Sequence, residues 1–329
     1  MILSYSIRLF SLCCASFFLV HMVARLAVWL AERPALRFAE RATPRAAARL
    51  LFLMRTLPPG IALVAVLGIC APSYVRFEQN IAAEQAGPVC LAIALLGALL
   101  WAVALGRGAR AAVSSLRFIR LCSRSGRTVP VHGEPPQMLV IQGARPFLAQ
   151  SGIFRPQFVI SQCLLNEFSP EELAAALSHE RAHWISRDNL KRLLFAFLPD
   201  VLPLWPGFHS LERNWAKFAE RAADDSVSAM GEAPALSLAA ALVRLARMGG
   251  AVDLAPRAPL ATSPLGGSDD LSGRVSRLLA VTPAKPEAPL GRIPVLWGAA
   301  SVFATCTLAA LVWPAALSPV HELLERLLH

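Results

Sequence analysis

Long apolar runs alternate along this chain with short stretches crowded by arginine, and the runs have the length of a bilayer crossing. Thr56 to Val75, Gln85 to Gly106 and Ile293 to Val320 contain no Asp, Glu, Lys or Arg. A hydrocarbon core about 30 Å thick takes about 20 apolar residues as a helix, so each run predicts a transmembrane helix. Leu9 to Ala31 predicts another, interrupted only by His21 and Arg25. A signal peptide carries its positive charge before the apolar region. Here Arg8 alone precedes the run, whereas Arg33, Arg37 and Arg41 follow it, and the run is read as an uncleaved span.

Charge orients these spans. The 329 residues hold 32 Lys+Arg against 22 Asp+Glu, a net charge of +10. Residues 32–55 contain six arginines against Glu32 and Glu40, and residues 107–127 contain six and no acid. These two loops account for the whole net charge, and the positive-inside rule places both in the cytoplasm, with the two termini outside. A bacterial inner membrane is the expected setting. The arginine excess sits where topology and anionic headgroups require it, so it gives no reason to invoke nucleic acid. Only 16% of residues are charged, below the roughly 25% of soluble domains. The seven cysteines include no CxxC pair, which excludes a thiolate zinc site of the usual spacing.

The expected organisation has three spans in 1–106, with the basic cytoplasmic loop at 32–55. Residues 107–291 are read as a cytoplasmic domain with its core at about 135–248 and a mobile loop at 249–268. A fourth span follows at 292–320, and then an external tail at 321–329. Within the domain, MLVIQ (138–142), PFLA (146–149) and QFVIS (157–161) read as strands broken by Gly143, Gly152 and Pro156. Ser169-Pro170-Glu171-Glu172 has the pattern of a capping box with proline at the first helical position. The helix it opens runs through ELAAALSHERAHWI.

That helix contains His179-Glu180-Arg181-Ala182-His183, an HExxH motif. Four residues make just over one helical turn, so His179 and His183 share a face and can share one zinc ion. Glu180 stands beside the first ligand, placed to act as the base toward water. A zinc hydrolase needs a third protein ligand. The segment from Trp215 to Asp225 supplies Glu220 and Asp224, again one turn apart, of which one would bind metal and the other brace an imidazole. His209, Glu212 and Asp225 are rivals. Leu193 to Leu211 is nearly apolar but cannot be a single crossing, because that would separate His183 from Glu220. It is read as a membrane hairpin or a segment lying on the surface, which puts the site near the bilayer. LSLAAALVRLARM (236–248) and LSGRVSRLLA (271–280) read as further helices.

Taken together, the spans, PFLAQSGIFRPQFVIS, SPEELAAALSHERAHWISRDN and the ERAAD segment resemble the BlaR/MecR-type membrane zinc peptidases, with HtpX-like peptidases as cousins. The resemblance implies a gluzincin arrangement with His179, His183 and Glu220 as ligands of one zinc per chain and Glu180 as base. It places Asp224 and Asp188 as acids that support the ligands. The best-known members carry an external penicillin-binding sensor with a Ser-x-x-Lys motif. No Ser-x-x-Lys occurs here, and about nine residues follow Val320, so a β-lactam sensor is not expected.

The expected fold is therefore an α-helical multi-pass membrane protein of four spans with an inserted cytoplasmic α+β zinc peptidase domain. The expected activity is endoproteolysis of a cytoplasmic or membrane protein, such as a transcriptional repressor. An extended substrate would pair with an edge strand, for which QFVIS is the first choice. Arg213, Arg221 or His209 would stabilise the oxyanion. An external signal would arrive through a homodimer, a separate sensor partner or the bilayer. The competing reading is a non-catalytic membrane receptor or scaffold. An intact Glu180 argues against it, since binding alone does not need a base.

Overall fold

The computed structural model describes residues 5–77, 87–129, 138–143, 146–152, 157–200, 207–249 and 271–280. The expected fourth span, the tail and the loop after Gly249 lie outside the described residues.

Helix α1 runs over Tyr5–Arg41. After Ala42 and Thr43, helix α2 begins at Pro44 and continues to Ala65. A π-helical turn, Val66–Cys70, and helix α3, Ala71–Phe77, complete this arm. Helix α4 spans Pro88–Ser125. Among the described residues, three helices are thus long and apolar enough to cross a membrane, Tyr5–Arg41, Pro44–Arg76 and Pro88–Ser125. Leu95, Leu99 and Val103 face outward from α4, a surface suited to lipid, whereas His21 and Arg25 of α1 are buried inside the helix group. The arginine-rich stretches expected as loops are almost wholly helical. Ala, Leu and Arg are strong helix formers, and Thr43-Pro44 makes the one break in 32–55. Thr43 caps α2 through its Oγ1, which accepts from the Ala46 N–H. Gly97 of α4 rests against the Cys14 carbonyl of α1, where a Cβ would collide. The first and third spans can approach this closely only because that position has no side chain.

The C-terminal half of α4 forms one layer of the domain. A four-stranded sheet packs on it in the order β1-β2-β4-β3. These strands are β1 (Gly126–Val129), β2 (Met138–Ile141), β3 (Leu148–Ser151) and β4 (Gln157–Ser161). β1 and β2 are antiparallel, β2 and β4 parallel, and β3 and β4 antiparallel. Side chains alternate between the two faces. Leu139 and Val159 bury against Phe118 and Cys122 of α4. Met138, Val140, Phe158 and Ile160 bury on the other side against Ala176, Ala241 and Leu245. QFVIS is therefore an interior strand, contrary to expectation. Its almost unbroken apolar run is what coverage on both faces produces. The outer strands are β1 and β3.

Short helix α5 (Gln162–Glu167) leads into α6 (Pro170–Ser186). The capping box forms as read: Ser169 Oγ accepts from Glu172 N–H, and Glu172 Oε2 accepts from Ser169 N–H at 2.9 Å. Helices α7 (Asp188–Phe197), α8 (Gly207–Ser228), α9 (Glu232–Arg247) and α10 (Leu271–Leu279) follow. The apolar stretch 193–211 therefore divides between the end of α7 and the start of α8, with residues 201–206 outside the described set. Phe197 packs directly on Gly108 of α4, just past the C-terminal end of the charge-free run Gln85 to Gly106.

Candidate active site

α6, α7 and α8 bring the predicted site residues together. His179 and His183 lie one turn apart on α6, with their Nε2 atoms 3.2 Å from each other. Glu220 of α8 reaches both rings: Oε2 lies 3.4 Å from His179 Nε2 and Oε1 3.5 Å from His183 Nε2. Bonds of about 2.1 Å arranged tetrahedrally around zinc give ligand-to-ligand edges of about 3.4 Å. One ligand atom from each of the three residues lies within 4.8 Å of the others, close enough for all three to share one metal ion. All three residues are buried.

The remaining ring nitrogens are held by carboxylates. His179 Nδ1 lies 3.1 Å from Asp224 Oδ1, and His183 Nδ1 lies 2.8 Å from Asp188 Oδ2. This carboxylate–imidazole arrangement orients a metal-binding histidine and fixes its tautomer. Asp188 reaches His183 because of a local feature. Arg187 takes a left-handed conformation, φ 55°, ψ 41°, at a cost of about 1–2 kcal/mol for an L-residue. The turn ends α6 and swings the first residue of α7 back under the second histidine. Lys191 Nζ then donates to Asp188 Oδ1 at 2.8 Å.

Glu180 is fully buried next to this cluster, and its Oε2 accepts from the Gln150 N–H of β3 at 3.0 Å. Burial pushes its carboxyl above the ordinary range, against the pull of the two histidines and of that N–H. A raised proton affinity suits a base working near neutral pH. Asn189 anchors the same strand by donating from Nδ2 to the carbonyls of Gln150 at 3.2 Å and Gly152 at 3.3 Å.

Arg274 of α10 was not anticipated. Its guanidinium is buried and donates to Asp224 Oδ2 from Nε at 2.8 Å and to Asp224 Oδ1 from Nη2 at 2.7 Å. Nη1 lies 3.2 Å from Glu220 Oε2. With Glu180, Asp188, Glu220 and Asp224 ionised, Arg274 and Lys191 leave two negative charges uncompensated, which matches the charge of one zinc ion. The residues present thus fit zinc by donor type, spacing and charge. The rivals are placed elsewhere: Glu212 pairs with Arg55 and Asp225 with Arg277. Of the expected oxyanion groups, Arg213 is exposed and Arg221 lies over the Phe218 ring. The His209 side chain is outside the described residues.

Without metal, protons take its place. Burial works against charging His183, but the carboxylates of Glu220 and Asp188 outweigh it and raise the ring to about 10. His179 is raised too, since Asp224 and Glu220 outweigh its burial. A folded-state value above the ordinary 6.5 means that the charged His183 contributes fully to the metal-free fold below 6.5. That contribution is lost as the pH climbs through about 10. Zinc requires neutral rings, so its binding at neutral pH should expel protons, and its affinity should rise with pH. Calorimetry in buffers of different ionisation enthalpy is expected to show at least one proton released per zinc. A binding enthalpy that does not vary with buffer would refute this.

Residues 124–248 match the family model of Peptidase family M48. Over 94 residues the chain is 34% identical with a protein named Protease HtpX homolog from Archaeoglobus fulgidus, a stretch covering 27% of this chain and 28% of that protein. The chain thus spans little more than a quarter of that relative's length. The matched segment starts near the end of α4 and takes in both histidines, Glu180, Asp188, Glu220 and Asp224, but ends before Arg274. The segment that matches the peptidase family therefore begins at the end of the third of three helices able to cross a membrane.

Proposed function

We propose that this chain is an integral membrane zinc endopeptidase acting on the cytoplasmic side of a bacterial inner membrane. Its substrate in this reading is a cytoplasmic or membrane protein with a regulatory role, such as a transcriptional repressor. The observation that carries the reading is the convergence of two imidazoles and one carboxylate in a buried site, with a second buried carboxylate, Glu180, beside them. Zinc, when bound, supplies the Lewis acid that polarises the scissile carbonyl and acidifies the attacking water. Glu180 takes the proton from that water and returns it to the leaving amine. His179, His183 and Glu220 hold the metal, while Asp224 and Asp188 keep the rings in register.

The cytoplasmic side is supported by the arginines of 32–55 and 107–127. The regulatory substrate, and the homodimer or separate sensor that would supply a signal, are supported by the BlaR/MecR-type resemblance of the motif segments. The test compares protein fragments in cells expressing the wild type with those in cells expressing Glu180→Gln. Fragments of cytoplasmic or membrane proteins are expected to disappear in the variant, and identical fragment sets would refute the proposal. A reporter inserted within 249–268 is expected to read as cytoplasmic.

A further inference from the structure

The helix that carries Glu220 is pressed between two bodies. Taking about 100° per residue, Glu220 and Asp224 occupy one side of α8, while Leu211, Trp215, Phe218 and Ala219 occupy the opposite side. That opposite side is buried against Val28 of α1 and Ala47, Leu51 and Met54 of α2. So the metal-facing carboxylates are backed by the membrane hairpin α1–α2, which lies wholly outside the segment matching the peptidase family.

At the foot of this contact sits Arg55, 1% exposed, just before the charge-free run Thr56 to Val75. Its Nε donates to Glu212 Oε1 of α8 at 2.8 Å. Its Nη2 lies 4.0 Å from Asp200 Oδ2 in the α7–α8 connection, and its guanidinium stands 5.9 Å over the Phe195 ring of α7. Phe195 in turn meets Trp215 edge-on, at 5.0 Å between centroids. One buried guanidinium therefore ties a membrane span to both helices that follow the HExxH helix. The Nε–Oε1 bond to Glu212 and the contact over the Phe195 ring together hold α8 at a set height beside the hairpin. From Glu212 to Glu220 the helix rises about 12 Å, a rigid lever two turns long.

We propose that Arg55 is a positioning residue for the metal site: through Glu212 it sets α8 on the membrane hairpin and thereby places the Glu220 carboxylate between the two histidines. The inference rests on the zinc reading above and adds that the third ligand is set from the membrane side. A displacement of α1 against α2 would then reach the metal site without passing through the sheet.

The test uses the full chain in detergent micelles, measuring zinc affinity by chelator competition and the visible spectrum of the cobalt-substituted protein. Arg55→Met and Glu212→Gln are each expected to weaken zinc binding about tenfold, in the range of changes that act through a ligand's support. Both should also alter the cobalt spectrum. The double variant is expected to be no worse than the poorer single one, since both remove the same link, and Arg55→Lys should recover part of the loss. Glu212 is 31% exposed, so Glu212→Gln should fold even if Arg55→Met does not. Variants that melt earlier but bind zinc and cobalt as the wild type does would overturn the positioning role. A wild-type chain that takes up no zinc would instead overturn the metal reading itself.

Discussion

Exchanging Glu180 for Gln is expected to lower proteolysis by about two to four orders of magnitude, the usual worth of a general base, with zinc remaining near one per chain. The substitution is close to isosteric. A glutamine oxygen can still accept the Gln150 N–H that now reaches Glu180 Oε2 at 3.0 Å, so β3 keeps its contact with α6. What is lost is the ability to take a proton. Since Glu180 lies in a fully buried position among His179, His183 and Glu220, its neutral replacement also removes a negative charge from the site, and zinc affinity should fall modestly. Activity is read with a casein or peptide substrate on the purified full chain, and zinc content by elemental analysis. Full activity in Glu180→Gln would sink the proposed mechanism. Loss of zinc along with activity would make Glu180 a ligand instead of a base.

Much of this site was legible because it is local. His179, Glu180 and His183 share one helix, and the ExxxD pair of Glu220 and Asp224 shares another, so helical periodicity alone predicts which side chains stand together. Asp188 follows α6 closely enough that one left-handed residue, Arg187, brings it under His183. The features that sequence did not disclose depend on contacts between distant segments. Arg274 meets Asp224 across 50 residues, and nothing in SGRVSR distinguishes it from Arg277, which pairs with Asp225. Strand order is likewise non-local. The almost unbroken apolar run of QFVIS is a local signal for a central strand, whereas which strands flank it is set by pairing between distant segments. The arginine-rich stretches carry two messages, topology and helix propensity, and the second extends the apolar runs into long helices. Their helical extension is what lets α4 become a layer of the domain and α1–α2 the wall behind α8.

The sharpest division of roles lies between the two acids of α8. Removing Glu220 as Glu220→Ala takes away one of three ligands, and the chain is expected to lose zinc on dialysis. Asp224→Asn removes only the brace behind His179, and such changes weaken metal affinity by about 10–100-fold. The geometry makes the comparison interpretable. Arg274 donates twice to Asp224 but only approaches Glu220, at 3.2 Å. In Glu220→Ala the guanidinium therefore keeps its main partner, and α10 should stay docked on α8. A loss of zinc there reports ligation, not unfolding, and an unchanged far-ultraviolet circular dichroism spectrum is the control. In Asp224→Asn, Arg274 loses a charged partner and is expected to turn toward Glu220, drawing that carboxylate away from the histidines. The Asp224 variant should then regain zinc when Arg274 is also replaced by Met, whereas Glu220→Ala should not. Retention of zinc by Glu220→Ala, with its release by Asp224→Asn, would exchange the two assignments: Asp224, which now meets His179 through Nδ1, would have to bind the metal after a rotation of that ring.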